Sequence, residues 1–395
     1  MTTLRALRNG ECEEARELRI SEGLEVFPEE ILELSDTLEI LDLSGNRLSD
    51  LPESFARLEN LRILFLSGNR FTEVPRVLGR MPKLEMVGLK SNAIAHVPDD
   101  ALPERLRWLI LTDNRLRELP AALGKRPRLQ KLMLAGNLLE RLPDLSGCQA
   151  LELVRLSANR LPGLPDALLE LPRLSWIAWS GNPFGKARQI PSQTVPWSSL
   201  DLGELLGQGA SGHIHGALLR RGTSPREVAV KIFKGEVTSD GYPADERAAS
   251  LAAGVHPNLI PILGHLAGHP EGRDGIVMER VPAGYRNLGG PPSFASCTRD
   301  VFPDTTRFEP GFAQAVLEAA TSLLDHLHDR GLAHGDLYAH NVLVRDDGHA
   351  LLGDFGAASF LDDLPAPQRE RVLRCEARAL GALRDDLESR IAPKA

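Results

Sequence analysis

Cysteine is scarce in this chain of 395 residues: there are four, Cys12, Cys148, Cys297 and Cys375, all far apart. No CxxC pair or Cys/His spacing occurs, so the sequence gives no basis for a zinc site or a disulfide framework. Reduced thiols in a cytoplasmic protein are the simple expectation. An excess of positive charge is also lacking. The formal charge is −8 and the pI near 5.8, which points away from nucleic acid and from anionic membrane surfaces as partners. No run of about 18 apolar residues exists to span a membrane. Residues 1–14 carry charges where a secretory leader needs an apolar core.

What the chain has is a period. Asparagine recurs at 46, 69, 92, 114, 137, 159 and 182, in steps of 22 or 23 residues. Such regularity identifies a solenoid before any local element is assigned. One unit reads Leu61-Arg-Ile-Leu64-Phe-Leu66-Ser-Gly-Asn69, then Phe71, Val74 and Pro75. The alternating leucines point inward from a short strand. The asparagine amide is suited to backbone groups that a tight turn leaves unpaired. Pro52, Pro75, Pro98, Pro120, Pro143 and Pro165 each stand six residues after an asparagine, where they end strand pairing and send the chain along the convex side.

These units resemble leucine-rich repeats of the kind with Leu-Pro after the asparagine. The resemblance covers residues 1–184, about eight repeats. The first is irregular, with Ile20, Leu24, Phe27 and Pro28 out of step by one residue, and reads as a cap. Residues alternating with the inward leucines form an apolar strip that includes Ile63, Phe65, Trp108, Ile110, Met133 and Trp176. On a concave face open to water this strip is a candidate surface for a protein partner, although such side chains also pack along neighbouring strands.

A polar stretch, residues 185–196, with Pro191 and Pro196, is expected to link the repeats to a second domain over 197–395. That domain begins with Gly207-Gln-Gly209-Ala-Ser-Gly212-His-Ile214. GxGxxG alone is weak. No helix pattern opens after Gly212, as a dinucleotide fold requires. A second strand comes instead, turned at Arg221-Gly222 and answered by Glu227-Val-Ala229-Val-Lys231-Ile232. Further on come Glu246, His256-Pro-Asn-Leu259, Ile276-Val-Met278-Glu279-Arg-Val281, His334-Gly-Asp336-Leu-Tyr-Ala-His-Asn341 and Asp354-Phe-Gly356.

In this order the motifs resemble those of protein kinases. The resemblance implies a two-lobed α+β domain after the α/β repeat solenoid, using ATP and Mg2+. Gly207, Gly209 and Gly212 would let backbone amides approach phosphates. Ile214 and Ala229 would also belong to the nucleotide site, with Glu279 and Val281 offering backbone groups to the purine. Lys231, fixed by Glu246, would hold phosphates. Asp336 would receive the proton of the acceptor hydroxyl. Asn341 and Asp354 would ligate magnesium, which prefers oxygen donors. His334 reads as a structural residue beside Phe355, and His340 has no evident role.

The pattern also departs from that family. Gly335 replaces the arginine that usually precedes the catalytic aspartate and pairs with a loop phosphate. Ser359 is the only hydroxyl between Gly356 and Glu376, so activation by loop phosphorylation is not expected. Tyr338 replaces a usual lysine, Ala-Pro-Glu is absent, and Glu376 stands for the aspartate of the next buried helix. The late helices of the large lobe are expected to be missing. A Ser/Thr protein kinase recruited by its repeats is the leading expectation. An ATP-binding scaffold without turnover and a kinase of small molecules stay open as alternatives.

Overall fold

The computed structural model describes the chain except residues 1–3, 13, 187, 189, 210, 221–223, 236, 239, 293–298 and 393–395. Cys297, the turn at Arg221-Gly222, and Ala210 of the glycine motif therefore lie outside the described residues. After a short helix α1 (Leu4–Arg8), strands β1 (Glu17–Arg19), β2 (Ile40–Asp42), β3 (Ile63–Phe65), β4 (Met86–Gly88), β5 (Trp108–Ile110), β6 (Lys131–Met133), β7 (Leu153–Arg155) and β8 (Trp176–Ala178) form one sheet in sequence order. Neighbours pair in parallel, with Ile40, Ile63, Met86, Trp108 and Lys131 in register.

Each three-residue strand is too short to stand alone; the asparagine ladder joins it to the next. Asn114 Nδ2 donates to Leu89 O and Leu111 O, each at 3.0 Å, and its Oδ1 accepts from Ile94 N at 3.0 Å. Asn137 repeats the pattern on Leu111 O, Leu134 O and Leu116 N. Buried backbone groups are thus satisfied across repeats rather than within them. Pro52, Pro75 and Pro120 each precede a 3-10 turn on the other side, and Pro165 precedes α2 (Asp166–Leu169).

The chain forms two compact units. The first comprises Met1–Val154 and Asn159–Leu174; the second comprises Arg155–Ala158 and Ser175–Ala395. The boundary thus differs from the expected break after residue 184: the last strand of the repeat sheet, and a four-residue piece that begins at the end of β7, fold with the C-terminal unit. The expected linker also changes. Thr194–Pro196 form β9, which pairs in parallel with β13 (Ile262–Ala267).

The six-stranded sheet of the second unit has the order β10 (Leu200–Gln208), β11 (Gly212–Leu219), β12 (Arg226–Phe233), β14 (Gly275–Glu279), β13, β9. Val228, Val230, Ile232 and Val277 are buried on one side of it; Ala229, Ile276 and Met278 gather on the other with Phe233. Helix α3 (Pro243–Ala252) comes after β12, with proline at its first position, where the absent N–H costs nothing. Two-residue β15 (Arg286–Asn287) precedes α4 (Pro310–Asp329), whose Val316, Ala320, Leu323, Leu324 and Leu327 are buried at helical spacing, while Phe312 and Leu317 are half-buried. Gly331, at φ 71°, ends the helix in the left-handed conformation. Then come β16 (Leu332–Ala333), β17 (Val342–Val344), β18 (Ala350–Leu352), β19 (Ser359–Phe360) and α5 (Ala366–Glu388). β15, β17 and β18 form a small sheet, and β16 pairs with β19.

The apolar strip is less open than the alternation suggests. Ile63 and Trp176 are each 2% exposed; Phe65, Trp108, Ile110 and Met133 are half-buried. Phe65 lies over Gly88, where a Cβ would strike its ring, and Lys131 Nζ sits 4.5 Å from the Trp108 ring centre. Neighbouring strands account for part of the burial, so Ile63 and Trp176 leave the set of exposed partner residues.

The residue before each asparagine sits at positive φ. Gly45, Gly68, Gly136 and Gly181 do so freely; Ser91 at 53°, Asp113 at 58° and Ala158 at 55° are strained. Left-handed backbone costs a residue with a Cβ about 1 kcal/mol. Ser91→Gly is therefore expected to raise stability by about 1 kcal/mol, and Gly68→Ala, whose Cβ meets nothing closer than 3.7 Å, to lower it by a similar amount. Urea denaturation of the two variants beside wild type checks both signs.

Candidate active site

The core of the site is a buried ammonium. Lys231 stands on β12, opposite Ile214 on β11 and Ile276 on β14, and only 7% of it is exposed. Its Nζ bonds to Glu246 Oε1 of α3 and lies 3.4 Å from Asp354 Oδ1. Burial opposes the charged amine, but the two carboxylates outweigh it and raise its pKa. Burial dominates for Glu246, whose carboxyl is pushed up to about 7 despite Lys231. The adjacent Lys231 holds Asp354 below the ordinary value. Asp354 has φ 56°, and its Oδ1 accepts from Gly356 N at 3.3 Å. A left-handed aspartate is uncommon, and such backbone persists where the surroundings over-determine it.

Asp336 lies in the loop between β16 and β17. Asn341 Nδ2 donates to its Oδ2 at 2.8 Å and to its backbone carbonyl at 3.0 Å. Glu376, buried in α5, accepts from His334 N at 2.9 Å and from Gly335 N at 2.8 Å. The base of the loop is therefore tied to the final helix. The His334 ring is 5.6 Å from that of Phe355, the packing expected for a structural histidine. His340 does find a partner: its ring Nδ1 and backbone N both meet Asp300 Oδ1, at 2.7 and 2.9 Å.

The glycines differ in kind. A Cβ on Gly207 or Gly209 would meet nothing within 4 Å, so both border open space. A Cβ on Gly212 would strike Ile232 O at 2.6 Å, so this glycine serves the close pairing of β11 with β12. Ala229 and Met278 are buried with Phe233 and Ile276, and Ile214, Ile260 and Ile262 pack against them. Glu279 ends β14 with its N–H already given to Pro261 O at 2.9 Å; Val281 lies two residues later.

Two residues of the site carry no motif. Arg155, 2% exposed, donates from Nε to Asp240 Oδ1 at 2.8 Å, from Nη1 to Gly335 O at 3.0 Å, and from Nη2 to Asp336 Oδ1. In sequence Arg155 sits at a repeat-surface position, and Asp240 belongs to no recognisable pattern. The contacts bridge 85 and 181 residues of chain, and no local signal reports them. Burial raises the Asp336 carboxyl, Arg155 pulls it down, and Asp240 and Asp354 push it up again; the net shift is upward.

Four carboxylates (Glu246, Asp354, Asp336 and Asp240) face two fixed cations (Lys231 and Arg155), which leaves an excess of two negative charges when all are ionised. A divalent cation suits that imbalance. The side chain of Asp354 is 46% exposed, and the amide of Asn341 directs its nitrogen to Asp336. Both can present hard oxygen. Among the described residues no trio of His, Cys, Asp or Glu is placed to cage a metal alone. Magnesium does not need one, because it keeps waters and takes phosphate oxygens.

Ser359 is fully buried. Its Oγ accepts from Trp179 N at 3.1 Å and lies 3.1 Å from Ser180 Oγ. A modifying enzyme has no access to it in this packing.

A glycine hairpin beside open space, a buried lysine tied to a helical glutamate, and an aspartate–asparagine loop thus occur together in a chain that begins as a repeat solenoid. The comparisons with known proteins name both parts. Residues 24–71, 36–94 and 104–161 match the leucine rich repeat family, and residues 200–385 match the protein tyrosine and serine/threonine kinase family. The chain thus carries leucine-rich repeats followed by a protein kinase domain. It is 31% identical to the serine/threonine-protein kinase PknF of Mycobacterium tuberculosis over 166 residues, which is 40% of this chain and 32% of that protein. It is 28% identical over 185 residues to a probable LRR receptor-like serine/threonine-protein kinase of Arabidopsis thaliana, covering 45% of this chain and 28% of the relative. The chain thus spans about a third of the length of these relatives. An LRR protein of Leptospira interrogans of known structure aligns at 28% identity and a TM-score of 0.37, over 44% of this chain and 50% of that one. Among the described residues no helix is long and apolar enough to cross a membrane.

Asp245, next to Glu246, provides a test of the electrostatics. Burial, with Asp363 nearby, pushes its carboxyl up to about 6 from 3.8, and its Oδ2 has no hydrogen-bond partner. A folded pKa above the unfolded one means that the folded state loses stability as pH rises from about 4 to 6, because ionisation is easier once unfolded. The full shift corresponds to about 3 kcal/mol at most, and solvent screening of this partly exposed group reduces it to about 1 kcal/mol. Asp245→Asn should therefore stabilise the protein at pH 7.5 and have no effect below pH 4, as read by urea denaturation at the two pH values.

Proposed function

We propose that the protein is an ATP-dependent Ser/Thr protein kinase whose repeats recruit a partner or substrate. The observation that supports the reading is that residues widely spread in sequence meet: Lys231 with Glu246 and Asp354, and Asn341 with Asp336, whose carboxyl feels the charge of Asp354. Bound MgATP supplies the phosphoryl group and the neutralising cation. The chain's residues do the rest. Lys231 holds the α/β-phosphates, kept in place by Glu246. Asn341 and Asp354 present oxygen to magnesium. Asp336, held by Asn341, orients the acceptor hydroxyl and takes its proton. Gly207 and Gly209 leave room for phosphates beneath the β10–β11 hairpin, while Gly212 shapes that hairpin. Ile214 and Ala229 would line the purine site, and the backbone of Glu279 and Val281 would offer groups to the purine. Transfer of this kind rests mainly on positioning and charge neutralisation.

The functional division we propose assigns residues 1–184 to the repeats and 197–395 to the phosphotransferase domain. Residues 185–196 lie between them and lend Thr194–Pro196 to its sheet. We also propose a cytoplasmic location, and a protein partner on the half-buried residues Phe65, Trp108, Ile110 and Met133. Nucleic acid does not suit a chain of net charge −8.

Incubation with labelled ATP and magnesium tests the reading. Wild type should place phosphate on protein. Asp336→Ala should reduce transfer at least about 100-fold with nucleotide binding kept, whereas Lys231→Met should lose transfer and weaken binding. Nucleotide binding by wild type without transfer would mark a scaffold, and transfer only to added small molecules would mark a different substrate class. For the repeats, Trp108→Asp should abolish capture of a partner that wild type retains from lysate, with the circular dichroism spectrum unchanged; undiminished capture removes the concave face from the proposal.

A further inference from the structure

The usual arginine before the catalytic aspartate is absent at Gly335, yet a guanidinium bonds to the Gly335 carbonyl and to the Asp336 carboxylate. It belongs to Arg155, within the same compact unit. Its three bonds go to three different acceptors: the carboxylate of Asp240, the carbonyl of Gly335 and Oδ1 of Asp336. The other oxygen of Asp336 is held by Asn341. The carboxylate is therefore gripped on both sides, and its rotation is fixed by two donors from separate elements.

The surroundings are built for this arrangement. Gly335 sits at φ 71°, and a Cβ there would lie 2.7 Å from Ala357 O and 2.8 Å from Ile177 O. No side chain fits at 335 while the backbone of β8 packs against it. Trp176, also on β8, donates its Nε1 to Leu337 O at 2.9 Å and stacks on Tyr338, with ring centres 4.3 Å apart and planes 13° apart. The replacement of lysine by tyrosine at 338 thus supplies an aromatic partner for Trp176.

We propose that Arg155 is a positioning residue for phosphoryl transfer: from a strand far away in sequence, it fixes the carboxylate of Asp336 and the carbonyl of Gly335 in the geometry that transfer requires. The inference rests on the kinase reading above. Arg155 acts through Asp336 and contacts no substrate. The alternative, a removable plug over the loop, fits the packing poorly. Arg155 and Trp176 are each 2% exposed and Ser359 is fully buried, as in a permanent interior. Separating Arg155 from Asp336 would strand two buried charges, which is costly. Positioning of this kind is worth much in rate, since displacing a reacting group by about 1 Å can cost about 100-fold.

The test compares the full-length wild type with Arg155→Met, Arg155→Lys and Asp240→Asn. Steady-state transfer with varied ATP, thermal shift with MgADP, and amide hydrogen exchange of residues 333–341 against 226–233 are measured. Arg155→Met should lower kcat about 100-fold, leave KM for ATP and the MgADP shift within about twofold, and speed exchange in 333–341 but not in 226–233. Arg155→Lys should recover part of kcat, because an ammonium retains the charge but reaches fewer acceptors. Asp240→Asn should give a loss of about 3- to 10-fold, again in kcat rather than KM. Wild-type or higher kcat in Arg155→Met overturns the proposal, the higher rate pointing to a plug. Unchanged exchange in 333–341 overturns it as well. If Arg155→Met does not fold, unchanged kcat in both Arg155→Lys and Asp240→Asn overturns it. Failure of wild type to transfer phosphate refutes the kinase reading, and the exchange comparison still decides whether Arg155 holds the loop.

Discussion

An ammonium removed from water must be matched by carboxylates placed within reach, and the second half of this chain is arranged around one such match. Lys231 is held in the centre of the sheet by its neighbours on β11 and β14. Its charge remains only because Glu246 comes to it from α3 and Asp354 from the loop after β18. The pair therefore fixes the orientation of a helix and the path of a loop at once. The crowding extends to Gly356, where a Cβ would sit 3.3 Å from Asp354 Oδ1 and 3.4 Å from Glu246 Oε2. Separating these three elements would leave charge buried without a partner, so the cleft is a consequence of charge compensation as much as of apolar packing.

The fold was legible where the sequence repeats a physical requirement. An asparagine every 22 or 23 residues signals a turn whose backbone groups need an amide, and the bonds of Asn114 and Asn137 are of that kind. The strand read at Glu227–Ile232 is present as part of β12, Arg226–Phe233. The order of motifs alone was enough to group Lys231, Glu246, Asp336, Asn341 and Asp354. What was not legible depends on tertiary contact. Strand alternation places Trp176 on the concave face but cannot say what lies over that face. Arg155 stands at a repeat position occupied elsewhere by Phe65 or Ile110, and nothing local distinguishes it from a solvated arginine. Thr194–Pro196 read as linker because proline usually marks one, yet an edge strand tolerates proline at its end.

The departures from the kinase pattern look like separate losses in sequence and are one accommodation in space. Glycine stands at 335 because the backbone of Ile177 and Ala357 leaves no room for a side chain. Tyrosine at 338 offers a flat face to Trp176. Ser359 is the hydroxyl that Trp179 N requires as an acceptor, and beside it Ser180 Oγ reaches Ala358 O at 2.8 Å. Each substitution answers to the segment Ser175–Ser180, which lies along the loop 335–338 and the residues 357–359.

A loop ordered by phosphate depends on an arginine waiting for a charge that arrives later. Here the corresponding charge is already present and internal. Arg155 meets Asp240 and Asp336 without any modification, and the residue that a modifying enzyme would need, Ser359, has no exposed surface. The loop 335–338 is held by contacts internal to the fold, from Arg155 of β7 and Trp176 of β8. In place of an arginine that waits for a phosphate, this chain has one whose acidic partners, Asp240 and Asp336, are part of its own sequence.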